Sequence, residues 1–233
     1  EMYISSLDYR RKAGNLELVS VTLGNLGAAY MNLGDLEKAR IALQEAMQLA
    51  RKQGDKIGLK SCLMNLAGVE RELGDYEQFE CLNREAYKLS VEVGDHSGVG
   101  GTLHNLSMCE IRKGNYPLAA KYAIESLDIR LEAEYLLGLT DTMEAVGEIF
   151  FGTNDYESSV MIWACCDKLR TEHELVRMSV DQAEFDANLS FARERLAPGQ
   201  FKATWDSGSN MELYALAKMF RNRLMILAKE VGK

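Results

Sequence analysis

Leu23 to Asp55 reads LGNLGAAYMNLGDLEKARIALQEAMQLARKQGD, and its chemistry returns forty residues later as LMNLAGVERELGDYEQFECLNREAYKLSVEVGD. A third copy reads LHNLSMCEIRKGNYPLAAKYAIESLDIRLEAEY, and a looser fourth MEAVGEIFFGTNDYESSVMIWACCDKLRTEHE. Column by column the residue types persist: Asn25, Asn65, Asn105; Leu26, Leu66, Leu106, Val146; Gly34, Gly74, Gly114, Asn154. Further columns hold Ala46, Ala86, Ser126, Cys166 and Leu49, Leu89, Ile129, Leu169. Self-similarity at a fixed period marks a repeat array, in which each unit buries its apolar face only against its neighbours.

Within one copy, Val19, Leu23, Leu26, Ala29, Tyr30 and Leu33 recur at spacings of three and four, which predicts a helix over Leu16 to Leu33. Gly34-Asp35 ends it, because Gly takes the left-handed terminal conformation cheaply and Asp can cap the next helix. That second helix is expected from Leu36 to about Gln53, with Ala39, Leu43, Ala46 and Leu49 facing inward. Gly54-Asp55 closes the unit. The same reading gives repeats over Lys56 to Asp95, His96 to Tyr135 and Leu136 to Glu174. Pro117 falls at the second position of its helix, where a missing N–H costs little.

Two antiparallel helices with small and large residues alternating at their crossing, as at Leu26, Gly27, Tyr30, Ala39, Leu43 and Ala46, resemble the tetratricopeptide hairpin. The period exceeds the usual thirty-four or so residues of that family, as in its kinesin-light-chain-like and Leu-Gly-Asn-type members. The resemblance implies an all-α fold, a right-handed superhelix whose first helices line a concave groove. On this basis residues 1–15 are the second helix of a truncated repeat, 16–174 four hairpins, and 175–233 capping helices. The start at Glu1, inside a repeat, suggests a piece of a longer protein.

After Glu174 the period fails. A polar helix is expected near Val180 to Leu196, then a break at Ala197-Pro198-Gly199, then a capping helix from about Asn210 to Lys229. Trp163, Ala164, Leu169, Arg170, Phe185, Leu196, Phe201, Ala203, Trp205, Gly208, Met211, Glu212, Ala215 and Ala217 resemble the end of tetratricopeptide arrays in bacterial STAND-type ATPases and LuxR- or SARP-type regulators. Lys202 and Thr204 stand where that family has Ala. The resemblance implies a non-catalytic sensor arm of a signalling or transcriptional regulator, whose ATPase domain lies elsewhere. A stand-alone adaptor for extended peptides and a self-association module, with homodimerisation through the terminal helices, are the alternatives.

Composition agrees with a binding role. The net charge of -8 is unlike a nucleic-acid surface. The apolar runs are too short for a membrane span, and no leader pattern opens the chain. The five cysteines are odd in number and lack a C-x-x-C pair, which fits a reducing, cytoplasmic setting. Cys109 and Cys166 fall on columns of small buried residues and read as core; Cys165 sits one position off. The motifs of metalloproteases, serine hydrolases and phosphate-binding loops are missing, and His96, His104 and His173 are dispersed, so neither enzyme activity nor a cofactor or metal is expected.

The candidate partner-binding residues lie on the first helices. Asn25, Asn65 and Asn105 occupy the column that faces the groove in the tetratricopeptide family, where an amide can both donate to and accept from a peptide backbone; alternatively they stitch neighbouring helices together. Met64, His104 and Met108 share the face, and small residues such as Gly24, Ser61 and Gly68 leave room for a ligand. The occupant would be a protein, a peptide or a small inducer. Basic residues that clamp a terminal carboxylate in chaperone-binding relatives are absent from these columns. Asp141, Glu144 and Glu148 line one helix face at i, i+3 and i+7. They read first as a solvated acidic face, and otherwise as a receiver for a basic segment or a cation. Trp163 and Trp205 read as core anchors.

Overall fold

The computed structural model describes residues 2–177, 179–197 and 199–230, with the backbone alone at Ser179 and Glu230. Glu1 and Pro198, both named above, lie outside the described residues. Among those described are twelve α-helices, a short 3-10 helix (Ala228–Glu230) and no strand. In order they are α1 (Met2–Lys12), α2 (Leu16–Asn32), α3 (Leu36–Gln53), α4 (Lys56–Glu72), α5 (Tyr76–Glu92) and α6 (His96–Arg112). Then come α7 (Tyr116–Glu132), α8 (Leu136–Gly152), α9 (Tyr156–Glu172), α10 (Ser179–Arg195), α11 (Gln200–Ser209) and α12 (Leu213–Leu227).

One backbone device sets the beat of α2 to α9. Each break carries a residue with positive φ: Gly14, Gly34, Gly54, Gly74, Gly94 and Gly114, then Glu134, Asn154 and Glu174. The left-handed residue folds the chain back so that the next N–H reaches a carbonyl in the last turn. Asp35 N–H donates to Tyr30 O at 2.9 Å, and Asp75 N–H to Glu70 O at 2.9 Å, satisfying carbonyls that the helix end leaves open. The same Asp then caps the following helix. Asp55 accepts from Gly58 N–H at 2.9 Å, Asp75 from Gln78 N–H at 3.0 Å and Asp155 from Ser158 N–H at 3.2 Å. Asp35, expected to cap α3, makes no such bond; its carboxylate takes the Lys38 ammonium at 2.5 Å instead.

Residues Glu1–Gly98 and Val99–Lys233 form two compact units. In the first, α1 to α5 pack each on the next. Leu7, Val19, Leu23, Ala42, Ala46 and Cys62 make one of its cores. The small-residue column has a steric cause: a Cβ at Gly27 would lie 2.5 Å from Leu43 Cγ, so the Leu43 side chain rests on the α2 backbone. Outside, Arg11–Glu45 and Arg51–Glu85 form ion pairs at 2.6 Å on the same columns of successive repeats. Such exposed pairs add only about 0–1 kcal/mol each.

In the second unit α7, α8 and α9 enclose a core of Ala123, Leu127, Leu139, Met143, Val146, Ile149, Ile162 and Cys166. The tail folds back on it: α11 packs on α9, and α12 on α7. Leu213, Leu216, Phe220 and Leu224 of α12 join that core. The tail differs from expectation in one respect. The expected capping helix is present as α12, beginning at Leu213 after an extended Glu212 (φ -79, ψ 130), and a further helix, α11, precedes it. Gly208 makes the α11 packing possible, since a Cβ there would lie 2.9 Å from the main-chain carbon of Met161. Trp163 is 1% exposed, with Phe185 edge-on at 5.8 Å; Trp205 is half-buried and stacks on Phe201. No helix among the described residues is long and apolar enough to cross a membrane.

Candidate functional site

In the first unit the candidate residues sit on α2 and α4. Asn25 is exposed, and Asn65 and Met64 are half-buried. Among the described residues, neither the Asn25 nor the Asn65 amide has a hydrogen-bond partner, so these two do not stitch helices together. The small residues beside them leave less room than expected. A Cβ at Gly24 would meet Cys62 Sγ at 3.8 Å, and one at Gly68 would meet Met31 Sδ at 3.5 Å. Each therefore leaves space for about a methyl group. Ser61 is exposed and returns its hydroxyl to Ile57 O at 3.0 Å.

In the second unit His104, Asn105 and Met108 are half-buried on α6, and Asp141, Glu144 and Glu148 are half-buried on α8. The solvated acidic face is therefore not what forms. Arg170 donates to both Glu144 oxygens at 2.8 and 2.7 Å and to Asp141 Oδ1 at 2.6 Å. Arg177, just beyond α9, donates to Glu144 Oε1 at 2.9 Å and Asp167 Oδ1 at 3.1 Å, and its guanidinium lies 4.0 Å over the Phe185 ring. Both arginine side chains are only 6% exposed. Two carboxylates of the trio are thus held by the chain's own cations. Their burial requires it, because an unpaired charge at such a depth is costly. Burial raises the Asp141 carboxyl, and Arg170 opposes the rise.

Glu148 is different. Among the described residues it has no hydrogen bond or ion pair, and it lines a cavity of about 460 Å³ with Ile111, Arg112, Tyr116, Phe151, Gly152, Glu184 and Asn188. The Tyr116 ring lies against bare backbone at Gly152, where any Cβ would collide with it. Arg112, at the end of α6, pairs with Glu184 of α10 at 3.1 Å. Burial, then the negative charges of Glu184, Asp181 and Glu144, pushes the Glu148 carboxyl up to about 8, with Arg112 opposing.

Four of the cysteines are buried and Cys81 is exposed. Burial pushes the Cys62 and Cys165 thiols up to about 11, which makes them inert rather than nucleophilic. No group of three His, Cys, Asp or Glu among the described residues is arranged to hold a metal ion. The contributions of Arg177, Glu184 and Asn188 escaped the sequence reading. A signal existed for α10, since Asp181, Glu184 and Asn188 repeat the i, i+3, i+7 spacing of Asp141, Glu144 and Glu148. None existed for Arg177.

Residues 18–90 match the tetratricopeptide repeat family model. Those residues form a tetratricopeptide array. The whole chain is similar in fold to the crystal structure of BtubC (BKLC) from P. vanneervenii, with a TM-score of 0.60 and 16% sequence identity, over 100% of this chain and 91% of that one. No curated protein matches the sequence. The fold class is all-α, a tetratricopeptide-like solenoid, and such repeats serve as protein-interaction scaffolds.

Proposed function

We propose that the chain is a non-catalytic binding array that takes an extended peptide or a small inducer along its first helices, and that it serves as the sensor arm of a larger bacterial signalling or transcriptional regulator. The observation that carries the binding role is the pair of amides at Asn25 and Asn65. They recur at the repeat period and find no partner within the described chain. Asn25 is exposed and Asn65 half-buried, and an accessible amide that the chain does not itself engage can both donate to and accept from a peptide backbone. The sensor-arm role is supported by the tail residues, from Trp163 to Ala217, that resemble the array ends of such regulators.

The binding role is tested by panning a display library of ten-residue peptides against the chain and against its Asn25→Ala/Asn65→Ala double variant. Enriched peptides are expected to bind the variant at least about tenfold more weakly, as loss of two or more amide hydrogen bonds implies. Equal binding to both would remove the amides from the contact surface.

A further inference from the structure

We infer that the cavity lined by α6, α7, α8 and α10 is a seat for an organic cation: the ammonium or guanidinium head of a lysine or arginine side chain, or of a free amine of the same shape. The inference rests on the binding-array reading and supplies the chemistry of one ligand group.

The cavity's size comes first. About 460 Å³ lies within the range of small-ligand pockets, roughly 300–1,000 Å³, and takes a charged head with its methylene stem. Its walls then select the charge. Tyr116 and Phe151 supply aromatic rings, which attract cations through their negative faces. Glu148 offers a carboxyl with no partner among the described residues, whereas its neighbours Asp141 and Glu144 are already held by Arg170. Among the described residues that line the cavity the cation is Arg112, and Glu184 holds it at 3.1 Å. Asp181 adds a further negative charge near Glu148. An anion entering here would meet carboxylates from both α8 and α10.

Entry of a cation has a proton consequence. The groups around Glu148 are Glu184 and Asp181 of α10, Glu144 of α8, Arg112 of α6 and Tyr116 of α7. With the seat empty, burial and the three acids keep the carboxyl protonated up to about pH 8. A bound ammonium stabilises the carboxylate, so binding below that pH releases the proton to solvent. Affinity then falls by up to about tenfold for each pH unit below 8, by linkage.

The test is a titration of the chain with n-butylammonium and n-propylguanidinium, with uncharged n-butanol as the isostere, followed by backbone amide shifts and calorimetry at pH 6 to 9. A pentapeptide with a central lysine, and its norleucine analogue, run alongside. The two organic cations are expected to bind saturably at pH 9 and butanol not. At pH 9 Glu148→Gln should weaken butylammonium by about tenfold or more, the scale of one charge-assisted hydrogen bond. Arg112→Gln should tighten it severalfold by freeing Glu184, a gain that misfolding cannot mimic. Tighter binding of the lysine peptide than of butylammonium identifies a side chain as the natural source; the reverse identifies a free amine. Absent or butanol-like binding at pH 9, or butylammonium affinity that is flat from pH 6 to 9, overturns the inference while leaving the Asn25–Asn65 reading to its own test.

Discussion

The indole of Trp163 lies against the backbone of Gly147: a Cβ at Gly147 would stand 2.7 Å from Trp163 Cδ1 and closer still to Nε1. That nitrogen donates to the main-chain carbonyl of Glu144 at 3.3 Å, so α9 is seated on α8 through an aromatic ring over bare peptide. Gly147→Ala is therefore expected to destabilise the chain by about 1–3 kcal/mol through overpacking. Gly68→Ala has the opposite sign. Its added methyl meets Met31 at an ordinary 3.5 Å, and the gain in helix propensity is up to about 1 kcal/mol. Urea denaturation of the two variants checks the pair; the same sign for both would contradict the packing described.

The Arg170–Glu144–Asp141 cluster makes a second contrast. Arg170→Met strands Asp141 and leaves Glu144 to Arg177 alone, and is expected to cost about 3–5 kcal/mol. Lys56→Met breaks the exposed pair with Glu92, and its effect should stay within about 1 kcal/mol. Denaturation midpoints at equal slope measure both.

Glu148 makes stability depend on pH. Its carboxyl titrates near 8 in the folded chain and near 4.3 in an unfolded one. The folded state thus holds the proton more tightly, and stability falls as pH rises between those values, by up to about 1.4 kcal/mol per unit. Glu148→Gln removes this dependence. The variant should match the parent at pH 5 and exceed it in stability at pH 9; a constant gap across that range would contradict the placement of the carboxyl.

Thiol accessibility gives a simple count. Cys81 is exposed, while Cys62, Cys109, Cys165 and Cys166 are buried. An aromatic disulfide reagent should modify one thiol per folded chain rapidly and the other four only at the rate of unfolding. Two or more fast thiols would mean that the buried set is not buried.

How far the sequence could be read depended on locality. The hairpins were legible because their turns use a residue with positive φ, and six of those are glycines at a spacing of twenty. Where Glu134 and Glu174 take the same conformation, only the surrounding period marked the turn. Pattern alone placed Asp141, Glu144 and Glu148 on one face. It did not say that the face is covered, since Arg170 and Arg177 arrive from 26 and 33 residues beyond Glu144. The tail was least legible: α11 and α12 are separated only by the short turn from Asn210 to the extended Glu212, and neither helix repeats a neighbour.

The most direct measurement is to sequence the reading frame on the amino-terminal side of Glu1 in the intact gene. The sensor-arm role requires a G-x-x-x-x-G-K-[ST] loop between a strand and a helix, the mark of a phosphate-binding domain that the array would control. A frame holding only further helical hairpins would contradict that role and leave a stand-alone adaptor.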